Sequence, residues 1–200
     1  MSRTAEVTRK TAETDVTVHV DLDGAGTATV STGVGFLDHL LTALAHHGLF
    51  DLAITTVGDL EVDDHHTVED TLLVLGAAFG EALGDRTGIA RYGDATVPMD
   101  EAVAKAVVDV GGRPYAVVDL AFRAERIGNL STQMIPHAVE AMARTSGFTI
   151  HLNGAGGNDH HVAEAAFKAL ARALRTAVGA DPRRSGIAST KGVPAEERSS

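Results

Sequence analysis

Two short stretches of this sequence carry residues that can bind a metal ion and move protons. Asp64-His65-His66-Thr67-Val68-Glu69 is one, and Asp159-His160-His161-Val162-Ala163-Glu164 repeats it. Imidazole nitrogen and carboxylate oxygen are ligands for transition metals. On a helix, a Glu four residues after a His shares its face, which pairs His65 with Glu69 and His160 with Glu164. The second histidine of each pair diverges from the first by roughly 100°. His65 and His66 therefore do not chelate one ion together, nor do His160 and His161, and each adjacent pair is predicted to serve two different ions. A lone surface histidine is bland, but matched sets of this kind are not.

The likeness extends beyond these motifs. Each is followed by an apolar helical run that stops at a glycine, Gly84 or Gly179. His39 precedes His65 by 26 residues, and His137 precedes His160 by 23. Both lone histidines open an apolar helical run. Further upstream, Val20-Asp21-Leu22 with Ser31-Thr32 echoes Val118-Asp119-Leu120 with Ser131-Thr132. The interval is 95 residues from His65 to His160 and 98 from His39 to His137, too long for a solenoid repeat. The chain reads as a duplicated unit, with halves at 1–92 and 93–193 and a tail at 194–200.

Composition narrows the chemistry. The 200 residues carry a net charge of -10, against a general nucleic-acid or membrane surface, which needs a basic face. There is no cysteine, so any metal is held by nitrogen and oxygen, a set open to Mn, Fe, Zn or Ni. The first residues lack the basic-then-apolar order of a signal peptide, and no apolar run suits a bilayer span. A soluble, cytoplasmic protein is expected. Aromatic residues make up 4% of the chain and tryptophan is absent, leaving Ala, Val, Leu and Ile to build the core. Ala163, Ala165, Ala166, Ala169, Ala171 and Ala173 permit close helix packing.

Taken in order, residues 5–10 and 16–22 alternate in the strand period. The turn chemistry of Asp23-Gly24-Ala25-Gly26 predicts a hairpin over 16–31. Glu13, at the break between the first strands, is either a solvated charge or a functional group. A helix is predicted over 36–47 with Gly48 at its stop, a strand over 49–57, and a helix over 65–83 capped by Asp63 or Asp64. Arg91 follows a loop at 84–88. Residues 102–111 and 114–122 read as a second hairpin tipped by Arg113. A helix over 132–146, a strand over 148–152, a glycine-rich loop at 154–157 and a helix over 159–178 bearing Lys168 complete the chain. That loop lacks the spacing of a phosphate cradle. The basic segment Asp181–Gly192 either binds an anion or is a frayed, solvated tail.

Taken jointly, Phe36-Leu37-Asp38-His39, Ala45-His46-His47-Gly48-Leu49-Phe50-Asp51, the two His-His motifs, Glu164-Ala165-Ala166-Phe167-Lys168-Ala169 and Ser189-Thr190-Lys191-Gly192 resemble the imidazoleglycerol-phosphate dehydratase family. The resemblance runs from about Arg3 to Val193. It implies a monofunctional hydro-lyase of histidine biosynthesis that converts imidazole glycerol phosphate to imidazole acetol phosphate. It also implies two Mn(2+) ions per active site and a 24-subunit homo-oligomer built from trimers, with sites completed between neighbouring subunits. The implied metal ligands are His39, His65, His66, Glu69, His137, His160, His161 and Glu164. Glu13 matches the family's N-terminal catalytic glutamate, and Glu164 is a second acid/base candidate. The phosphate is expected on Arg91, Arg113, Lys168, Ser189 and Lys191, with Thr190 standing silently where a serine is common. His47 is expected beside the substrate, which His39, His65, Glu69 and His160 also touch. The chemistry requires help from a metal: the carbon proton has no adjacent carbonyl, and a Lewis acid on the imidazole ring makes its loss feasible.

The fold expected is α+β. Each half is a four-stranded sheet with two helices on one face, and the helices pack together between the two sheets. The rival readings are another dinuclear metal-dependent enzyme, such as a hydrolase, on the same duplicated scaffold, and a metal-assembled shell whose ions only join subunits.

Overall fold

Alternation of valine with polar residues lays down the first layer. In β2 (Thr14–Asp21), Val16, Val18 and Val20 are fully buried while the intervening side chains lie half-exposed on the other face. A computed structural model describes residues 3–190. Its first half runs β1 (Thr4–Lys10), β2, β3 (Ala28–Ser31), α1 (Gly35–Gly48), β4 (Asp51–Gly58) and α2 (His65–Leu83). The second half opens with β5 (Tyr92–Met99), β6 (Ala102–Asp109) and β7 (Tyr115–Leu120). A short ribbon of β8 (Arg126–Ile127) and β9 (Leu130–Ser131) leads into α3 (Met134–Ser146), β10 (Thr149–Ala155) and α4 (Asp159–Val178).

The two sheets repeat one topology, β1-β2-β4-β3 and β5-β6-β10-β7. In each, the first three strands pair antiparallel and the last pair is parallel. This corrects both expected hairpins. Residues 16–31 do not fold back on each other, because β4 lies between β2 and β3. Residues 102–122 are divided in the same way by β10. The reason is connectivity. A helix follows β3 directly and β7 after the β8–β9 ribbon, and a strand–helix–strand crossover delivers its second strand parallel to the first. The turn expected at 23–26 is instead held open by Asp51, whose Oδ1 accepts the N–H groups of Ala25 and Thr27. Sequence reading also passed over β5, an edge strand that tolerates Pro98 because an edge leaves N–H positions unpaired. The expected glycine stop of α1 is shifted as well. Leu49 takes the left-handed turn (φ 56), while a Cβ at Gly48 would strike the Phe50 ring at 2.4 Å.

The helices form a layer between the sheets, as expected. α2 packs on β1, β2 and β4, and α4 on β5, β6 and β10. Across the middle, α2 meets α3 and α1 meets α4, so each helix contact joins one half to the other. The six alanines on α4 are fully buried, and Phe50 and Phe79 pack edge to face with centroids 5.1 Å apart. Among the described residues, no helix is long and apolar enough to cross a membrane.

The aspartate that begins each His-His motif anchors a neighbouring segment at the helix start, and Asp64 does so across the two halves. Asp64, 5% exposed, accepts hydrogen bonds from Ser131 and from Arg126, both on the β8–β9 ribbon. Asp159 accepts the backbone N–H groups of Arg123 and Ala124. Asp63, not Asp64, binds the free N–H of His65 (2.8 Å).

Close approach of α2 to α3 depends on Gly76. A Cβ there would lie 2.3 Å from Thr145 Oγ1 and 2.4 Å from the Met142 carbonyl oxygen. Gly76→Ala gains helix propensity of about 1 kcal/mol, yet it must push a neighbouring backbone aside. Overpacking of that kind costs about 1–3 kcal/mol. The expected outcome is a net loss of stability, read as a lower midpoint in thermal unfolding.

Candidate active site

The cross-half packing of the helices creates two matched clusters of ligand atoms. His39 on α1 meets His160 and Glu164 on α4, and His137 on α3 meets His65 and Glu69 on α2. In each cluster the ligand atoms all lie within 4.8 Å of one another. Glu164 Oε2 is 3.0 Å from His39 Nε2 and 3.1 Å from His160 Nε2. Glu69 is 3.6 Å from His65 Nε2 and 3.4 Å from His137 Nε2. Helix geometry supplies the first pairing, since His and Glu stand four apart, and the facing helix supplies the third group. The first cluster is floored by Phe36, whose ring centroid lies 4.9 Å from that of His160.

Each glutamate also meets a cation. Lys168 Nζ lies 2.6 Å from Glu164 Oε1, and Arg144 Nη2 donates to Glu69 Oε1 at 2.8 Å. Burial opposes ionisation of Glu164, but the hydrogen bonds of His39 and Lys168 outweigh it and bring the carboxyl down to about 2. Burial and Arg144 compete in the same way at Glu69, which is held below its ordinary value. Both groups are thus held as carboxylates at neutral pH and are candidate ligands.

The remaining histidines of the motifs turn away from these clusters. His66 Nδ1 is 3.0 Å from Asp59 Oδ2 and 3.9 Å from Glu13 Oε2. His161 Nδ1 is 2.9 Å from Glu101 Oε2. Each carboxylate hydrogen bond raises the affinity of its imidazole for a proton. His47 lies two turns beyond His39 on α1, where burial and the Lys168 charge hold its pKa below the ordinary value.

A cationic corner forms at the far end of the second half. Arg91 grips Asp109 with Nε and Nη2, at 2.7 and 2.9 Å, and donates Nη1 to the Ala188 carbonyl. Arg113, with 78% of its side chain exposed, lies 3.7 Å from the same carboxylate. Residues 180–187 bridge back to Ile89 and Thr87, which brings Ser189 and Thr190 to this corner. The segment is therefore held to the body of the fold as far as Ala188, not frayed there. Lys191 lies outside the described residues, as does the expected tail at 194–200.

A family model described as imidazoleglycerol-phosphate dehydratase matches residues 32–174. The chain is 53% identical over 192 residues to imidazoleglycerol-phosphate dehydratase of Methylorubrum populi, covering 95% of this chain and 98% of that protein. It is 52% identical over 191 residues to the one of Methanococcoides burtonii, covering 96% and 99%. The chain belongs to the imidazoleglycerol-phosphate dehydratase family. Solved structures agree with the family assignment. The dehydratase of Staphylococcus aureus superposes with a TM-score of 0.80 at 34% identity, over 89% of this chain and 99% of that one. That of Pyrococcus furiosus, in complex with (S)-C348, gives 0.80 at 36% identity, over 94% and 100%.

Of the residues that the dehydratase resemblance implies as ligands, six fall into the two clusters, while His66 and His161 stand outside them. Glu13 sits in the β1–β2 turn beside His66. Lys168 is not at the cationic corner with Arg91 and Arg113; it is on Glu164. Sequence reading overlooked Asp59, Glu101 and Arg144, which contact the candidate ligands. The duplication held a clue to one of them, because Glu101 occupies the β5–β6 turn just as Glu13 occupies the β1–β2 turn.

The Arg91–Asp109 pair has a measurable signature. Burial alone would raise the Asp109 pKa, but the paired N–H groups of Arg91 hold it below its ordinary 3.8. The stabilisation it gives is therefore present above that value and is lost as the pH falls through the lower folded value. Asp109→Asn is expected to reduce stability at neutral pH by roughly 1.5–3 kcal/mol and to flatten the loss on acidification. Urea unfolding midpoints between neutral and acidic pH check both.

Proposed function

We propose that this chain removes water from imidazole glycerol phosphate to give imidazole acetol phosphate, a step of L-histidine biosynthesis, using two Mn(2+) ions per site. The observation that carries this reading is the pair of His-His-Glu clusters in a chain of this family. The donor set suits the metal. His137 Nε2 is buried without a hydrogen-bond partner, a costly condition that a cation relieves. His39, His160 and Glu164 would hold one ion, and His65, Glu69 and His137 the other. Bound there, a divalent cation supplies Lewis acidity to the substrate's imidazole ring.

The protein's own groups supply the rest. Glu13, with 54% of its side chain exposed, is the base that takes the carbon proton in this reading. Both oxygens of Glu164 are engaged, Oε2 with histidines and Oε1 with Lys168, which favours its ligand role over its second role as acid/base. The phosphate belongs at the corner of Arg91, Arg113, Ser189 and Thr190, with Lys191 following, because charge-assisted hydrogen bonds suit a dianion. Asp109 and the Ala188 carbonyl hold the Arg91 guanidinium in a fixed orientation, so little side-chain freedom is lost on binding. Lys168 is paired with Glu164 and acts through its charge on His47.

One chain does not hold both ends of this substrate. The His39–His160–Glu164 cluster lies at the start of α4, whereas Arg91 and Asp109 sit at its other end, where Ala90 donates to the Gly179 carbonyl. Twenty residues of α4 span about 30 Å at 1.5 Å each, far more than an imidazole ring on a three-carbon phosphate. This supports sites shared between copies, with His66 and His161 turned toward a neighbour's ions, in a 24-subunit particle built from trimers. Val103, Val107, Tyr115 and Val117 are exposed on the second sheet and offer a copy an apolar face. A cytoplasmic location, and division of the chain at 92 and 93, complete the reading; β5 begins at Tyr92, so this boundary falls one residue inside that strand.

The deciding experiment is turnover of imidazole glycerol phosphate by purified protein, stripped with a chelator and resupplied with Mn(2+), with particle mass recorded alongside. Activity should vanish and return with the ion; a particle that regains metal without dehydrating the substrate overturns the reading. Glu13→Gln is expected to keep particle mass and metal content while losing most turnover, at least 100-fold for removal of a general base. Full activity in that variant removes Glu13 from the mechanism.

A further inference from the structure

The two halves place a glutamate at the same point of the same topology and use it differently. Glu13 lies in the turn joining β1 to β2, and Glu101 in the turn joining β5 to β6. Each turn overhangs the outward-facing histidine of its own half. Among the described residues, the Glu13 carboxylate makes only the 3.9 Å approach to His66. Glu101 is fastened on both oxygens. Its Oε1 accepts the backbone N–H groups of Gly157 (3.1 Å) and Asn158 (2.7 Å), and its Oε2 meets His161 Nδ1 at 2.9 Å. In the first half, Asp59 takes over that contact, 3.0 Å from His66 Nδ1.

We propose that Glu101 is a positioning residue for metal binding: it fixes the ring and tautomer of His161, so that Nε2 is the bare nitrogen presented to an ion, and Asp59 does the same for His66. This inference rests on the metal-dependent reading above. A carboxylate accepts but does not donate, so the nitrogen it faces must carry the proton. The opposite nitrogen is then left with its lone pair, the state a metal ligand needs. Glu101 reaches this arrangement from an anchored position, because the two N–H groups just before α4 hold its other oxygen. The histidine and its carboxylate are thus both referenced to the start of one helix. With Asp59 serving His66, Glu13 is left unfastened in the equivalent turn, as a proton-transfer group requires.

Glu101→Gln separates positioning from mere support. The amide oxygen can keep accepting the N–H groups of Gly157 and Asn158, but the amide nitrogen then faces His161 Nδ1 as a donor. That reverses the tautomer and puts a proton on Nε2. The test is Mn(2+) stoichiometry and affinity, measured by competition with a chelator, on wild type, Glu101→Gln, Glu101→Ala and Asp100→Asn. Thermal unfolding of the metal-free proteins is run in parallel. Asp100 is 79% exposed and 3.8 Å from His161 Nε2, and its variant serves as the charge-loss control. Glu101→Gln should melt like wild type without metal, yet bind Mn(2+) roughly 10–100-fold more weakly at half of the sites. Glu101→Ala should lose affinity to at least the same extent, and Asp100→Asn should stay near wild type.

Unchanged Mn(2+) affinity in both Glu101 variants overturns the proposal. So does an equal loss in Asp100→Asn, which would make the effect one of net charge, and so does a wild-type protein that takes up no Mn(2+). A wild type that binds Mn(2+) with the predicted Glu101 dependence but does not dehydrate imidazole glycerol phosphate supports the positioning role and overturns only the assignment of activity.

Discussion

Everything in this molecule depends on the contact of α2 with α3 and of α1 with α4 across the middle. Two sheets, each apolar on one face only, need a partner layer, and four helices provide it. Because each helix contact joins opposite halves, the core is shared and neither half completes it alone. Residues with little or no side chain, Gly76 against Thr145 and Met142 and the alanines of α4, let the backbones approach closely. The candidate-ligand histidines and glutamates sit at the rim of that layer. Their separations are therefore set by helix packing, with no flexible loop intervening.

The same architecture separates two charged regions. The clusters lie where α2 and α4 begin, and the cationic corner lies where α4 ends. The groups around the clusters are partnered locally: Lys168 pairs with Glu164 and Arg144 with Glu69, while Asp59 and Glu101 hydrogen-bond His66 and His161. An acidic chain of net charge -10 thus keeps Glu69 and Glu164 ionised and still brings Arg91 and Arg113 together at the far end of α4.

Much of this was legible in the sequence. The i and i+4 spacing of His65 with Glu69 and of His160 with Glu164 is a local property of a helix, so it survives folding unchanged. The duplication announced two sheets and two pairs of helices. What it did not disclose was pairing between distant segments. Nothing in the local composition of 16–31 or 102–122 says that another strand will enter between their two runs, because that follows from the helical crossover that comes next. The contacts of Asp59, Glu101 and Arg144 were hidden for the same reason, since each meets its partner through tertiary packing. Lys168 illustrates the opposite case: a position matched to a family motif acquired a neighbour, Glu164, that the motif already contained four residues earlier.

The crossed origin of the clusters bears on how such a chain came to exist. A half-length polypeptide with one lone histidine and one His-x-x-x-Glu helix cannot assemble three ligands by itself. Two copies related by a two-fold axis would exchange these elements and build two identical clusters, sharing a helical layer between their sheets. Fusing the copies end to end preserves that geometry and releases the two clusters from having to be alike. The differences between them, lysine beside one glutamate and arginine beside the other, a loose carboxylate in one turn and a fastened one in its twin, are what a symmetric ancestor would have been unable to carry.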